Sequence, residues 1–157
     1  MKDGFKIGGI FFVQCFGPDG KLKWEDEAKN LMTNEGLDHV LDTVMHDATQ
    51  VSTWYVGLKN TGDPAAGDTL ASHTNWAENE NYTGDRQEYV ESAASSQAVT
   101  NSASKASFSI TSDSQTISGA FLASASGVSV SSFNTSVGGG SRMSIPPSGR
   151  TRFCCGG

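Results

Sequence analysis

The stretch from Leu31 to Asn60, LMTNEGLDHVLDTVMHDATQVSTWYVGLKN, constrains the fold more than any other part of this chain. Leu37, Val40, Leu41, Val44 and Met45 recur at i, i+3, i+4, i+7 and i+8, the spacing of one apolar stripe on a helix. Asn34 supplies an N-cap, and Glu35 places a negative charge in the first turn, where the helix dipole favours it. The pattern then changes to period two. Trp54, Val56 and Leu58 fall on one side of a strand, with Thr53, Tyr55 and Gly57 on the other. A helix with one apolar side, followed closely by a strand with one apolar side, is expected to lie on a sheet as its lid.

The remaining segments read as short strands and turns. GIFFVQCF, Gly9 to Phe16, is apolar on nearly both faces and is expected to be central or covered. Gly17-Pro18-Asp19-Gly20 is a turn, and the alternating KLKWED after it completes a β-hairpin, with Leu22 and Trp24 on one side. NTGDPAAGD from Asn60 is loop, and Leu70 to Tyr82, carrying Trp76 and Tyr82, is a long excursion with room for a short strand, of the kind that is often functional or contacts a partner. Gln87 to Glu91, Phe108 with Ile110, Ile117 to Leu122, and Val128 with Val130 are further strand candidates. The turn Ser112-Asp113-Ser114 separates the second from the third. Gly138-Gly139-Gly140 reads as a hinge, and Met143 and Ile145 as an edge strand running through Pro146-Pro147 into an extended arm. The expected fold class is mainly all-β, a β-sandwich or jelly roll with one short helix, a small α+β fold being the alternative. The expected organisation is one domain over residues 1–157, with 138–157 as a C-terminal arm.

Charge narrows the partners. Charged residues make up 18% of the chain, below the roughly 25% usual in soluble domains. Up to Glu91 there are 16 acidic and 7 basic residues, whereas Asp113 alone opposes Lys105, Arg142, Arg150 and Arg152 in the remainder. An acidic body has no electrostatic claim on nucleic acid. The basic C-terminal segment suits an acidic surface, its own or a neighbour's. No apolar run approaches a membrane span, and the run at Ile10 to Val13 is too short for a signal peptide. Three cysteines, two of them adjacent (Cys154 and Cys155), give no disulfide framework, which suits a reducing cytoplasm.

Catalytic constellations are sparse. Glu35, His39, Asp42 and His46, spaced by four, three and four, form a polar stripe whose two imidazoles and two carboxylates are a donor set for zinc or another divalent metal. A solvated helix face is the preferred reading, because no cysteine joins the stripe and the spacing matches no zinc signature. Asn79, Asn81, Thr83 and Gly84 follow the start of a calcium loop, but Val90 stands where a bidentate Glu is needed. No G-x-S-x-G elbow is present, His73 could orient a serine from the long loop, and Gly138 to Gly140 do not open a helix that could bind phosphate. Trp24, Trp54 and Trp76 could stack on sugar, but core positions are the more usual place for them. The expectation is a protein without enzymatic activity, cofactor or bound metal.

The succession NLMTNEGLDHVLD, DATQ, STWYVGL, DTLASHTNW, NYTGDR and ISGAFLAS, spanning Asn30 to Ser124, resembles small structural proteins of tailed-phage virions. In short-tailed phages, similar proteins look like capsid cement (decoration) proteins. The resemblance implies a jelly-roll or β-sandwich subunit made in the bacterial cytoplasm, self-associated as a dimer or trimer, and bound to the outside of the shell formed by its partner, the major capsid protein. It implies no nucleic-acid or membrane partner. On that expectation Trp76, Arg150, Arg152 and Phe153 are the candidate partner contacts. A tail or fibre component binding host glycan through Trp76, and a metal-dependent enzyme using the helix stripe, are the alternatives.

Overall fold

The computed structural model describes residues 7–111, 115–127, 134–136, 143–145 and 150–156. The expected turn at Ser112-Asp113-Ser114, the strand at Val128 and Val130, the hinge at Gly138-Gly139-Gly140 and the Pro146-Pro147 step lie outside these residues. What is described is mostly β, with antiparallel sheets and one helix.

The hairpin forms as its turn dictates. Strand β1 (Ile10–Phe16) pairs antiparallel with β2 (Leu22–Lys29). In the turn Gly20 takes φ +74° and donates to Gly17 O, while Asp19 Oδ1 accepts from Lys21 N. A register shift between Cys15 and Phe16 breaks the expected alternation. Trp24 opposes Cys15 and packs on the core, whereas Leu22 opposes Phe16 and is left exposed. Strand β1 is central, as expected, but covered on one face only: Phe11, Val13 and Cys15 are buried and Phe12 is exposed.

Helix α1 (Asn34–Met45) is followed by β3 (Trp54–Lys59), β4 (Glu78–Asn79), β5 (Gln87–Tyr89) and β6 (Ala106–Ser109). The apolar run expected as one strand from Ile117 to Leu122 is two, β7 (Gln115–Ile117) and β8 (Gly119–Ala123), divided at Ser118 and placed in different sheets. The described strands end with β9 (Asn134–Ser136), β10 (Met143–Ile145) and β11 (Arg150–Gly156).

One sheet has the order β2-β1-β11-β6, so residues 150–156, within the stretch expected as an arm, form a strand laid between β1 and β6. Its seven residues pair with all seven of β1. In the other sheet β3 is the centre, pairing with β8 on one edge and with β4 and β5 on the other, and β9 extends β8. A two-stranded ribbon joins β10 to β7. One hydrophobic cluster draws on both larger sheets: Phe11, Val13 and Cys15 of β1 and Phe108 of β6 meet Val56 and Leu58 of β3 and Ala120 of β8.

The opposite face of β3 is covered too, which its alternating sequence does not suggest. Phe121, Trp76, Leu70 and Ala123 form a second cluster beneath the 60–82 loop. Gly57 is required there. A Cβ at this position would sit 2.3 Å from Phe121 Cζ, well inside contact distance.

Candidate functional site

The helix forms where its pattern predicts but faces elsewhere. Its N-cap is Thr33, one residue earlier than expected: Thr33 Oγ1 accepts from Gly36 N at 3.2 Å, while Asn34 opens the helix and donates its backbone N–H to Ala66 O. The side turned to the body carries Gly36, which is buried, and Leu37, Val40 and Thr43, which are half-buried. Gly36 and Val40 border a cleft of about 490 Å³ shared with Phe11, Trp54, Tyr89 and Leu122. His39 rests edge-on against Trp54 with ring centroids 5.8 Å apart. The expected lid stripe is therefore corrected by roughly a quarter turn, as the 3.6-residue periodicity requires once Gly36 and Thr43 face in. Leu41, Val44 and Met45 are left 48%, 72% and 78% exposed.

That exposure is the departure from ordinary folding logic. Three adjacent large apolar side chains on one helix surface contribute nothing to the core, and clustered exposure of this kind marks contact surfaces. The surrounding charge is one-sided. Between Asn30 and Leu58 the chain carries Glu35, Asp38, Asp42 and Asp47 and neither lysine nor arginine. Asp38 and Asp42, both exposed, flank the apolar residues on the same outer side.

The stripe considered for metal binding is split by this geometry. Glu35, His39 and Asp42 line a shallow depression with Asp38, Thr49 and Thr69, whereas His46 caps the helix C-terminus through its own N–H to Asp42 O and is exposed. Among the described residues no group of three or more His, Cys, Asp or Glu is placed to hold a metal ion. Asn79, which opened the calcium pattern, is fully buried, and its Oδ1 accepts from Asn81 N.

The pair most like catalytic machinery is Lys59 and Ser118, with Nζ 2.7 Å from Oγ. Burial pushes the Lys59 amine below its ordinary pKa, Asp63 opposing. A lysine acting as base must accept the serine proton. Here Nζ donates to Ser118 Oγ, to Gly62 O at 2.5 Å and to Asn60 O at 3.3 Å, while the Ser118 hydroxyl itself donates to Asn60 O. Carbonyl acceptors hold the ammonium form, so the cluster clamps the start of the long loop.

A second ionic clamp closes that loop. Arg86 grips Glu78 with both ends, Nε to Oε1 at 2.8 Å and Nη2 to Oε2 at 2.7 Å, and Nη1 donates to Ala125 O. Both side chains are nearly free of solvent. Trp76, expected at a partner contact, is instead 5% exposed. Its Nε1 donates to Asp68 Oδ2 at 3.0 Å, and its ring stacks on His73 and tilts against Phe121. His73 orients this tryptophan rather than a serine: its Nδ1 donates to Trp76 O at 2.9 Å, since a carbonyl can only accept.

Of the other expected contacts, Arg150 and Arg152 stand in β11 opposite Phe16 and Gln14, and Phe153 stands opposite buried Val13 and Ala106. The exposed apolar residues that sequence reasoning missed are Leu41, Val44 and Met45, read there as core. The available signal was Gly36, whose place inside a helix marks close packing on its own side. No helix among the described residues is long and apolar enough to cross a membrane. No protein-family model matches this chain, and no curated protein is significantly similar to it.

Proposed function

We propose that the protein is a non-enzymatic structural component of a phage virion, a capsid cement protein that binds the outside of the major capsid shell and stabilises it. In this reading the two larger sheets stack as a β-sandwich of jelly-roll kind, consistent with the single cluster that Phe11, Val13 and Phe108 form with Val56 and Leu58. The observation that carries the reading is the apolar turn of α1, where Val44 and Met45 are 72% and 78% exposed, well beyond the other exposed large apolar residues described. Such a surface gains stability only when another molecule covers it. The resemblance of Asn30 to Ser124 to virion proteins supplies the setting. Burial of Trp76 removes the aromatic platform on which the alternative of glycan binding by a tail protein depended.

Quantitative mass spectrometry of purified virions tests the proposal. A copy number equal to that of the major capsid protein, or a simple fraction of it, is expected. A count too low to span the shell moves the protein to the tail, and absence from particles overturns the reading.

A further inference from the structure

The two outer edges of the β2-β1-β11-β6 sheet are finished differently. Beside β6, Thr83 N–H donates to Ser109 O and Thr111 N–H to Asn81 O, so residues 81–83 close that edge. Beside β2 no strand is paired among the described residues. The ladder shows which groups face that opening. Asn30 N–H donates to Gly9 O at 2.9 Å, so this pair exchanges ladder bonds. Antiparallel alternation then gives the bonded positions to Ala28, Asp26 and Trp24, opposite Phe11, Val13 and Cys15. The backbone groups of Glu25, Glu27 and Lys29 therefore point away from β1, along the open edge.

Asp26 is out of pattern on this strand. By alternation it stands on the core-facing side between Trp24 and Ala28, both half-buried, yet it is exposed. Its Oδ1 accepts from Glu27 N–H at 2.9 Å, the central outward donor of the edge. We infer that Asp26 guards this edge: its carboxylate occupies the donor that an incoming strand must use, and sets a charge where that strand would continue the apolar row. A second copy of the chain is thereby kept from extending the sheet. Charged residues turned inward on an edge strand oppose strand addition in this way.

Self-association of the full-length protein, read by sedimentation across a concentration series, tests the inference. Asp26→Val completes the row with a strand-forming side chain, and is expected to raise the average mass at least about twofold over wild type at equal concentration. Hydrogen exchange locates the contact: the Glu25, Glu27 and Lys29 amides are expected to slow as the variant associates. Adding Glu27→Pro removes the outward N–H but no ladder bond to β1, and is expected to return the mass to that of wild type. Thermal unfolding accompanies each variant, and Asp26→Thr replaces Asp26→Val if the latter loses its transition. A variant that keeps the wild-type mass throughout the series overturns the inference. Association that leaves the three amides fast, or that survives Glu27→Pro, overturns it too. Wild type whose same amides slow with rising concentration already pairs along this edge, which also overturns it.

Discussion

The 59–86 loop region and the last turns of α1 invert each other's chemistry. The loop buries Lys59, Asp68, Arg86 and Glu78, whose charged atoms would ordinarily face water. The helix exposes Leu41, Val44 and Met45, which would ordinarily be buried. In the loop each buried charge meets geometry that satisfies it, so a long segment whose regular structure is little more than the two residues of β4 is held in one conformation. On the helix nothing in the described part of the chain satisfies the apolar surface. The difference separates a region finished by its own fold from one that the described fold leaves uncovered.

Breaking the ionic clamp should have the largest effect. Arg86→Met leaves Glu78 buried and uncompensated, and is expected to cost about 3–5 kcal/mol in urea unfolding. Restoring balance with Glu78→Leu in the same chain should recover most of it. Next comes Gly57→Ala, whose methyl collides with the Phe121 ring; a loss of about 1–3 kcal/mol is expected, and normal stability would show that the ring moves freely.

Tyr82 gives a smaller effect whose sign depends on pH. Its hydroxyl is buried without a hydrogen-bond partner among the described residues, so Tyr82→Phe should be neutral or stabilising by about 1 kcal/mol near neutrality. Burial, reinforced by the Glu78 carboxylate, raises the phenol's pKa in the fold. Above its unfolded value of about 10 the unfolded chain loses the proton first, so the native protein loses stability as pH rises. The advantage of Tyr82→Phe over wild type should therefore grow from pH 8 to pH 11, as read by denaturant midpoints. Burial lowers Lys59 instead, so between its folded pKa and about 10.4 it favours the fold as pH rises, in both proteins alike. The smallest effect belongs to the helix. Met45→Ser should change stability by less than about 0.5 kcal/mol, because the side chain has almost no neighbours to lose.

Local patterns were legible in the sequence where the chain's own chemistry decided them. Pro18, Asp19 and Gly20 announced the hairpin, and the period-two run at Phe108 became β6 with alternating burial. The helix was legible as an element but not in its rotation, because periodicity reports which residues are apolar and not which side meets the body. The ionic clamps left no pattern, since Lys59 with Ser118, and Glu78 with Arg86, are joined by the loop's path through space. The bulge at the end of β1 hid the exposure of Leu22 for a similar reason. At the C-terminus the signal existed: Arg150 and Arg152 alternate with Thr151 and Phe153 as a half-buried strand should. Pro146-Pro147 drew the reading toward an arm instead.

The placing of β11 between β1 and β6 sets an order in time. Residues 10–16 leave the ribosome long before residues 150–156, so the sheet containing both must wait, with one edge of β1 open, until residues 150–156 have been made and have left the ribosome. Pairing across so wide a separation makes folding slow compared with closure of the local hairpin. During that interval the unpaired backbone edge of β1 is open to strand addition from other chains. Yield in the cell should then depend on how quickly translation delivers the last strand, and slowing it near residue 150 should cost soluble protein even though the finished fold is unchanged.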